Sequence, residues 1–516
     1  MNYASAEIAP FAAPAARAGV SRLTVALALL GMMALCVLLS VFFFMPQSLR
    51  LDEAQSIWQA SRTPLGIISL VAEDVHVPLY HEILHLWMLY GGQSVTAARA
   101  LSLVFYLLSL PAIYLLGREA YSRRVGLAAA LLMAVSPFMN WYGNEVRMYT
   151  LFLLLTILNQ YFFIRIWKRP SNDVWVGYAV TALCGVFTHY FFFLNLASQA
   201  IFYFAHRAHF ARGSFRRFAT ILALVLITFG PWAWYVLALG EAQNQTPLLS
   251  VPTTVDVFNA FSQFLIGFQN DNVNTIFLSL WPTAILFGFL ALRPTRRPLS
   301  GAGPQTRYFL ITVVVSFAIA FGFSIFVQPV FVSRYLIFTV PSLYLLIVGF
   351  FDTYFNSIIA PAVLVALMAV TLAVEIASPT TPVKENYEQA TAYLNAHVAA
   401  QDAVALAAPF IVYPVEYYYR GLAPLSTLPA WNQYAHGAIP AFSAATMPSQ
   451  VQALADNHQN VWLLLSYDQG YNETIKTYFD DHYTRLLVKN FSSGLTLYEY
   501  QTGYETPLLK ASPAMR

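Results

Sequence analysis

Long apolar runs separated by short polar breaks set the pattern of this chain. A helix needs ~20 mainly apolar residues to cross ~30 Å of hydrocarbon. Runs of that kind predict eleven spanning helices, at 23–45, 97–117, 125–142, 146–166, 174–190, 191–206, 218–238, 275–292, 308–326, 335–351 and 357–375. The run at 191–206 is short, and Thr188-His189-Tyr190 is taken as the break before it. Residues 1–20 are rich in Ala and Pro and read as a disordered tail. The apolar run Leu23 to Met45 is longer than the core of a signal peptide, so it reads as a retained first helix. Within the first long loop, 46–96, Pro78 to Tyr90 reads as a helix of about 20 Å at 1.5 Å per residue, too short to span. Trp87 and Tyr90 suit it to the headgroup layer.

The pattern changes after Glu375. Helix-like stretches (Glu385 to His397, Asn472 to Asp481) alternate with strand-like runs at Ala403–Ala407, Val461–Ser466, Arg485–Val488 and Leu495–Tyr500. The predicted fold class is therefore a polytopic α-helical membrane protein with a small C-terminal α/β domain. Its parts are a tail at 1–22, a transmembrane domain at 23–375 with the structured loop 46–96, and an outer domain at 376–516.

Composition agrees. Hydrophobic residues make up 58% and charged residues 10% of 516, against roughly 25% charged in soluble proteins. A net charge of +3 carries no nucleic-acid footprint. Cys36 and Cys184 both lie in apolar runs, which excludes a disulfide framework. Basic residues are retained on the cytoplasmic side of a membrane. With the N-terminus inside, sixteen fall in inside segments and five in outside loops (Arg50, Arg62, Arg99, Arg147 and Arg334). Eleven spans then put the C-terminal domain outside. No internal repeat marks the two halves of a transporter.

Ionisable residues in or beside membrane spans are costly, which makes them candidates for function. Five groups stand out. Asp52-Glu53 follows the first span and suits a base or a metal, or simply the acidic first turn of a helix. Glu73-Asp74-Val75-His76-Val77-Pro78-Leu79-Tyr80-His81 comes next; His81 and His85 share a helix face, and Pro78 suits a first helical position. Asn144-Glu145-Val146-Arg147-Met148-Tyr149 holds either a site pair or an interfacial charge pair. Thr188-His189-Tyr190 is a histidine among aromatics, a structural or a functional one. Ser333-Arg334-Tyr335 sets an arginine against the positive-inside bias, so a carboxylate or a phosphate should partner it. All five groups fall at the outer face in the predicted topology.

Taken in order, Leu51-Asp52-Glu53-Ala54, Asp74 to Tyr80, Ser136-Pro137, Glu145 to Tyr149, Thr188-His189-Tyr190 and Ser333-Arg334-Tyr335-Leu336 resemble the GT-C superfamily of membrane glycosyltransferases. The nearest branch is the bacterial family similar to protein O-mannosyltransferases and the aminoarabinose and Rgt-type lipopolysaccharide core transferases. Val77 stands where that family has a first proline, and His81 where an aromatic is common; both departures bear on substrate choice. The resemblance implies a sugar donor linked to polyprenyl phosphate, a glycan, lipid or protein acceptor, and inverting transfer at the outer face of a bacterial cytoplasmic membrane. It assigns catalysis to Asp52, Glu53 and Glu145, with Asp52 as base. Donor phosphate binding falls to Arg334, His189 and Arg147, and substrate binding to Asp74, His76, Tyr80, His81 and Tyr149. No cofactor is implied beyond a divalent metal in those relatives that use one, with Asp52, Glu145 and His76 as candidate ligands. A flippase of lipid-linked saccharide and a membrane scaffold with an outer sensor domain are the alternatives.

Overall fold

The computed structural model describes residues 21–74, 76–240, 249–270, 275, 303–352, 359–378, 381–382, 384–435 and 438–503. Nearly all of the expected tail 1–22 and of the expected span 275–292 therefore lies outside the described residues. Helix α1, Arg22–Leu39, begins with the Ser21 hydroxyl capping the Thr24 amide (3.0 Å) and runs on as a π-turn over Ser40–Phe44. Leu23, Leu27, Leu30, Leu38 and Phe42 on it are exposed, an apolar face that only lipid can cover.

Three helices follow in the first loop: α2 (Leu51–Ala60), α3 (Pro64–Glu73) and α4 (Leu79–Gly91). The last matches the helix expected at 78–90. Next come α5 (Val95–Ala120), α6 (Arg123–Val135), α7 (Pro137–Gly143), α8 (Tyr149–Lys168), α9 (Asn172–Val186), α10 (Phe192–Ala205), α11 (Ser214–Leu239) and α12 (Thr254–Ile266). After the undescribed stretch stand α13 (Pro304–Phe326), a 3-10 segment (Ser333–Thr339) leading into α14 (Val340–Phe350), and α15 (Ile359–Ala377).

Among the described residues seven helices are long and apolar enough to cross a membrane, or eight with α6 and α7 counted as one bent span. The difference from eleven has two sources. One expected span is not described, and α9 and α10, at 15 and 14 residues, reach only about 22 Å each. The α6–α7 bend of 67° falls at Ser136-Pro137. Pro137 opens the new helix, the Ser136 hydroxyl caps the Met139 amide (3.3 Å), and the Tyr344 hydroxyl sits 2.9 Å from that cap.

A network of uncharged polar side chains ties the helices together inside the apolar core. Asn159 Oδ1 accepts from Asn195 (2.9 Å) and Gln199 (2.8 Å), Gln160 donates to Asn195 (3.2 Å), Tyr178 donates to Gln199 (2.8 Å) and Ser342 donates to Gln160 (3.3 Å). In lipid there is no water to satisfy such groups, so each must find another.

The C-terminal domain holds α16 (Tyr387–His397), β1 (Ala403–Ala407), α17 (Val412–Tyr418), β2 (Leu425–Thr427), α18 (Met447–Ala455), β3 (Asn460–Ser466), α19 (Asn472–His482), β4 (Thr484–Ser492) and β5 (Leu495–Gln501). The sheet order is β2-β1-β3-β5-β4; β1 pairs in parallel with β2 and β3, and the other pairings are antiparallel. The four expected strands are present. β2 and the helices α17 and α18 are additions, β2 being too short for alternation to reveal it. This domain is fastened to the membrane part where the first loop begins. The Leu49 amide donates to the Tyr418 hydroxyl (3.0 Å), and the Glu388 amide to the Ser48 hydroxyl (3.1 Å).

One ion pair fixes the same region from beneath. Arg99 on α5, 1% exposed, donates to both Glu53 oxygens (2.8 and 2.6 Å). Its remaining N–H groups reach the carbonyls of Phe44, Met45, Gln47 and Ser48 (3.1, 3.2, 2.7 and 3.0 Å). Glu53→Gln leaves a buried guanidinium without its counter-charge, and should cost about 3–5 kcal/mol of stability. Thermal melts in detergent check this, and a loss below about 1 kcal/mol would reduce the pair to an incidental contact.

Candidate active site

Four elements distant in sequence meet over that ion pair: the first turn of α2, the loop 144–148, the 188–191 turn after α9, and the start of the Ser333–Thr339 segment. Glu53 places two of them together. Besides Arg99, the amides of Arg50 (3.0 Å) and Val146 (3.1 Å) donate to its carboxylate. Burial opposes its charge, but Arg99 and Arg50 outweigh burial and hold the carboxyl at about 2. With four donors on its oxygens, Glu53 is a structural carboxylate. The catalytic contact expected of it is already taken up by the protein.

Asp52, one residue earlier, is the reverse case. Among the described residues nothing hydrogen-bonds its half-buried carboxylate, while Arg147, Arg334 and Arg50 act on it electrostatically. Burial again opposes the charge; the three guanidinium groups prevail and keep the carboxyl below its ordinary range. Asp52 is therefore ionised and unoccupied at neutral pH.

Glu145 is buried, and its Oε2 has no partner. Burial pushes it up to about 7, helped by the charges of Asp52 and Glu53 and resisted by Arg50 and Arg334. Two neighbouring carboxyl groups thus titrate far apart, a common basis for dividing acid–base roles.

The cations are similarly unmatched. Arg147 donates to the Asp52 carbonyl and the Ser56 hydroxyl (3.3 Å each) and hydrogen-bonds the Nε2 of His76, yet its Nε is buried without a partner. Arg334 makes no hydrogen bond or ion pair among the described residues; its guanidinium lies 5.6 Å from the Tyr335 ring and its Nε is buried. Among the described residues no carboxylate pairs with it directly, and Asp52 acts on it only electrostatically. His189 stacks flat on Phe152 (4.6 Å, 4°), and its Nδ1 accepts the Phe191 amide (3.1 Å), which leaves Nε2 as the N–H of a neutral ring. The Tyr149 hydroxyl is buried and unpartnered, its ring 6.3 Å from that of His189.

The second motif is sorted by the same accounting. Asp74 accepts from Gln55 (3.0 Å) and Gln59 (3.1 Å) and lies 3.8 Å from the His76 Nε2. Burial, then Arg147, push His76 well below its usual range, so it is a neutral acceptor for that arginine. His81 stacks against His76 (6.1 Å, 21°) with both ring nitrogens unpartnered, while His85 bonds the Ala60 carbonyl (2.8 Å). Tyr80 is fully buried with its hydroxyl against Ser102 (3.1 Å), a core residue in place of the substrate contact expected. No cluster of three or more His, Cys, Asp or Glu suited to a metal exists among the described residues. Asp52, Glu145 and His76 are thus not assembled as a metal site.

Arg50, already counted among the outside basic residues, joins the site, and two residues not foreseen enter with it. Arg50 lies 3.9 Å over the Trp141 ring, its buried Nε 3.5 Å from the Glu53 carboxylate but making no hydrogen bond. Glu385 and Tyr467 arrive from the C-terminal domain. An aromatic pair at Trp141-Tyr142 just before Glu145 was a readable signal; Glu385 and Tyr467 carried none.

Comparisons with known proteins fall on this geometry. Residues 75–235 match the family described as dolichyl-phosphate-mannose-protein mannosyltransferase. No curated protein sequence matches the chain. Among solved structures, apo ArnT from Cupriavidus metallidurans is similar over 92% of this chain and 98% of that one, at 12% identity and a TM-score of 0.58. The same enzyme bound to undecaprenyl phosphate is similar over 93% and 98%, at 12% identity and a TM-score of 0.56. The fold is that of ArnT. Over residues 75–235 the chain also resembles the protein mannosyltransferases.

The buried state of Glu145 gives a signed expectation. In the fold it keeps its proton to about pH 7, whereas unfolded it releases it near pH 4.5. Stability therefore falls as pH rises between those values, by on the order of 3 kcal/mol when complete. Glu145→Gln removes this dependence, so the melting temperature of the variant relative to wild type should climb from pH 5 to pH 8. A difference independent of pH would refute the buried, proton-holding state.

Proposed function

We propose that the protein is an inverting glycosyltransferase that moves a sugar from a polyprenyl-phosphate donor to a hydroxyl acceptor at the outer face of a bacterial cytoplasmic membrane. One observation carries the reading: an ionised Asp52 that accepts no hydrogen bond lies within electrostatic reach of Arg334, a guanidinium that among the described residues makes no ion pair. A base awaiting a proton and a cation awaiting an anion are the two halves of a displacement at a sugar phosphate.

In that reaction the acceptor oxygen attacks the anomeric carbon from the face opposite the phosphate. The new C–O bond forms as the bond to the phosphate oxygen breaks. The hydroxyl proton passes to Asp52, which must lie within hydrogen-bond reach of it. The polyprenyl phosphate departs as an anion, so no acid need protonate it. Arg334, the Nε2–H of His189 and the unpaired Nε of Arg147 are the donors for the charge that develops there. Glu145 and the unpartnered Tyr149 hydroxyl line the sugar, with Asp74, His76 and His81 forming the wall behind Arg147. No step is routed through a metal. The undecaprenyl phosphate carried by the ArnT of similar fold supports a lipid phosphate of this kind. The sixteen-to-five bias of basic residues supports the N-terminus inside and the outer domain on the far side.

Asp52→Asn should lower transfer from polyprenyl-phosphate sugars by about 10²–10⁴-fold while leaving membrane insertion and the melting temperature near wild type; wild-type turnover would remove Asp52 from the chemistry. Transfer by detergent-solubilised protein, with no sealed compartment, separates the enzyme from a flippase. For orientation, a periplasmic reporter fused to the C-terminus should be active and a cytoplasmic one silent; the opposite result would invert the site's exposure.

A further inference from the structure

The outer domain has no part in the chemistry above, yet it places two polar side chains against the pocket. In open sheets with parallel strands, ligands meet the carboxyl ends of those strands. The carboxyl end of β3 is Ser466, followed by Tyr467, the one non-glycine with positive φ (46°) among the described residues. A left-handed tyrosine is strained by roughly 1–2 kcal/mol, and such strain is commonly held where a side chain must be aimed. The Tyr467 hydroxyl and the carboxyl of Glu385 act on each other electrostatically, and the tyrosine ring packs 6.1 Å from Phe410, just beyond the end of β1. Glu385 is 8% exposed and its Oε2 has no partner. Arg50 answers electrostatically to Glu53 first and then to both Glu145 and Glu385, and its buried Nε, 3.5 Å from Glu53, makes no hydrogen bond. The contacts of Ser48 with Glu388 and of Leu49 with Tyr418 hold this wall beside the start of α2.

Buried polar atoms are normally satisfied, and those that are not call for an explanation. Among the described residues the Oε2 atoms of Glu145 and Glu385 and the carboxylate of Asp52 lack donors, and the Arg50 Nε, 3.5 Å from the Glu53 carboxylate, makes no hydrogen bond. A ligand that donates several hydrogen bonds and accepts at least one would satisfy the set. Vicinal hydroxyls do both, whereas a serine or threonine peptide offers a single hydroxyl and an acyl chain offers none.

We propose that Glu385 and Tyr467 form the acceptor side of the Asp52 pocket and that the acceptor presents a hydroxyl-rich saccharide there. This rests on the glycosyltransferase reading, and it makes the outer domain a determinant of acceptor choice. Both residues position the acceptor, and neither touches the bonds that form or break.

The test uses the full chain in nanodiscs, a panel of polyprenyl-phosphate hexoses and pentoses as donors, and two probes as acceptors: octyl glycosides and a serine/threonine hexapeptide. The wild type should transfer to a glycoside in preference to the peptide. Tyr467→Phe and Glu385→Gln should each raise the glycoside KM about tenfold or more, with a much smaller change in kcat and in the donor KM. Both substitutions conserve shape, and equal melting temperatures check that they fold. Glycoside KM values like those of the wild type, an equal rise in donor KM, or a preference for the peptide would overturn the proposal. Those results would leave the reading beneath it intact so long as Asp52→Asn still abolishes transfer. If no donor is consumed with either probe, both fall.

Discussion

The Arg99–Glu53 pair is the constraint on which the rest of this structure depends. Two opposite charges are removed from water together, and each is then fully used. Arg99 closes the end of the first helix through four carbonyls, and Glu53 gathers the amides of Arg50 and Val146. A pair of this kind adds little net stability against a well-packed apolar substitute, because desolvation offsets attraction. What it supplies is position. It joins the end of α1, the start of α2 and the 144–148 loop at one point, and so sets Asp52, Glu145 and Arg147 around a common space.

Around that fixed point the protein leaves charges unmatched. Asp52 is held ionised by guanidinium groups that do not hydrogen-bond its carboxylate, and Glu145 is pushed up to about 7 by burial. Arg334 makes no ion pair among the described residues. In a low-dielectric setting each uncompensated charge acts over a longer reach than it would in water. An anionic lipid phosphate meets an excess of positive donors, in the reaction proposed, before any residue has to move. The stable parts of the site are therefore the satisfied groups, and the reactive parts are the unsatisfied ones. The difference lies in hydrogen-bond accounting, since the residue types on both sides are the same.

Much of this was legible along the chain. Apolar run length located most of the long helices, and alternation located four of the five strands. The polar groups at 52–53, 74–76, 145–149, 189 and 334 stood out because ionisable residues are rare beside spans. Three things were not legible. The Asn159–Gln160–Asn195–Gln199 network is uncharged, so a search for charge passed over it. α9 and α10 read as full spans by composition, but their regular helices stop at 15 and 14 residues. Tyr80 sits in a polar motif yet packs in the core, because helix α4 turns it toward Ser102 rather than toward the pocket.

By itself the sequence determined the solvent of this protein and the identity of its rare charges, since hydropathy and charge frequency are properties of each residue wherever it goes. Only the tertiary structure decided the division between Asp52 and Glu53. Adjacent residues on a helix point some 100° apart, so one carboxylate turns into the ion pair and the other into the pocket. It also decided that Glu385 and Tyr467, more than three hundred positions from Asp52, would stand beside it. Such a meeting depends on how two domains pack, and no local pattern records it.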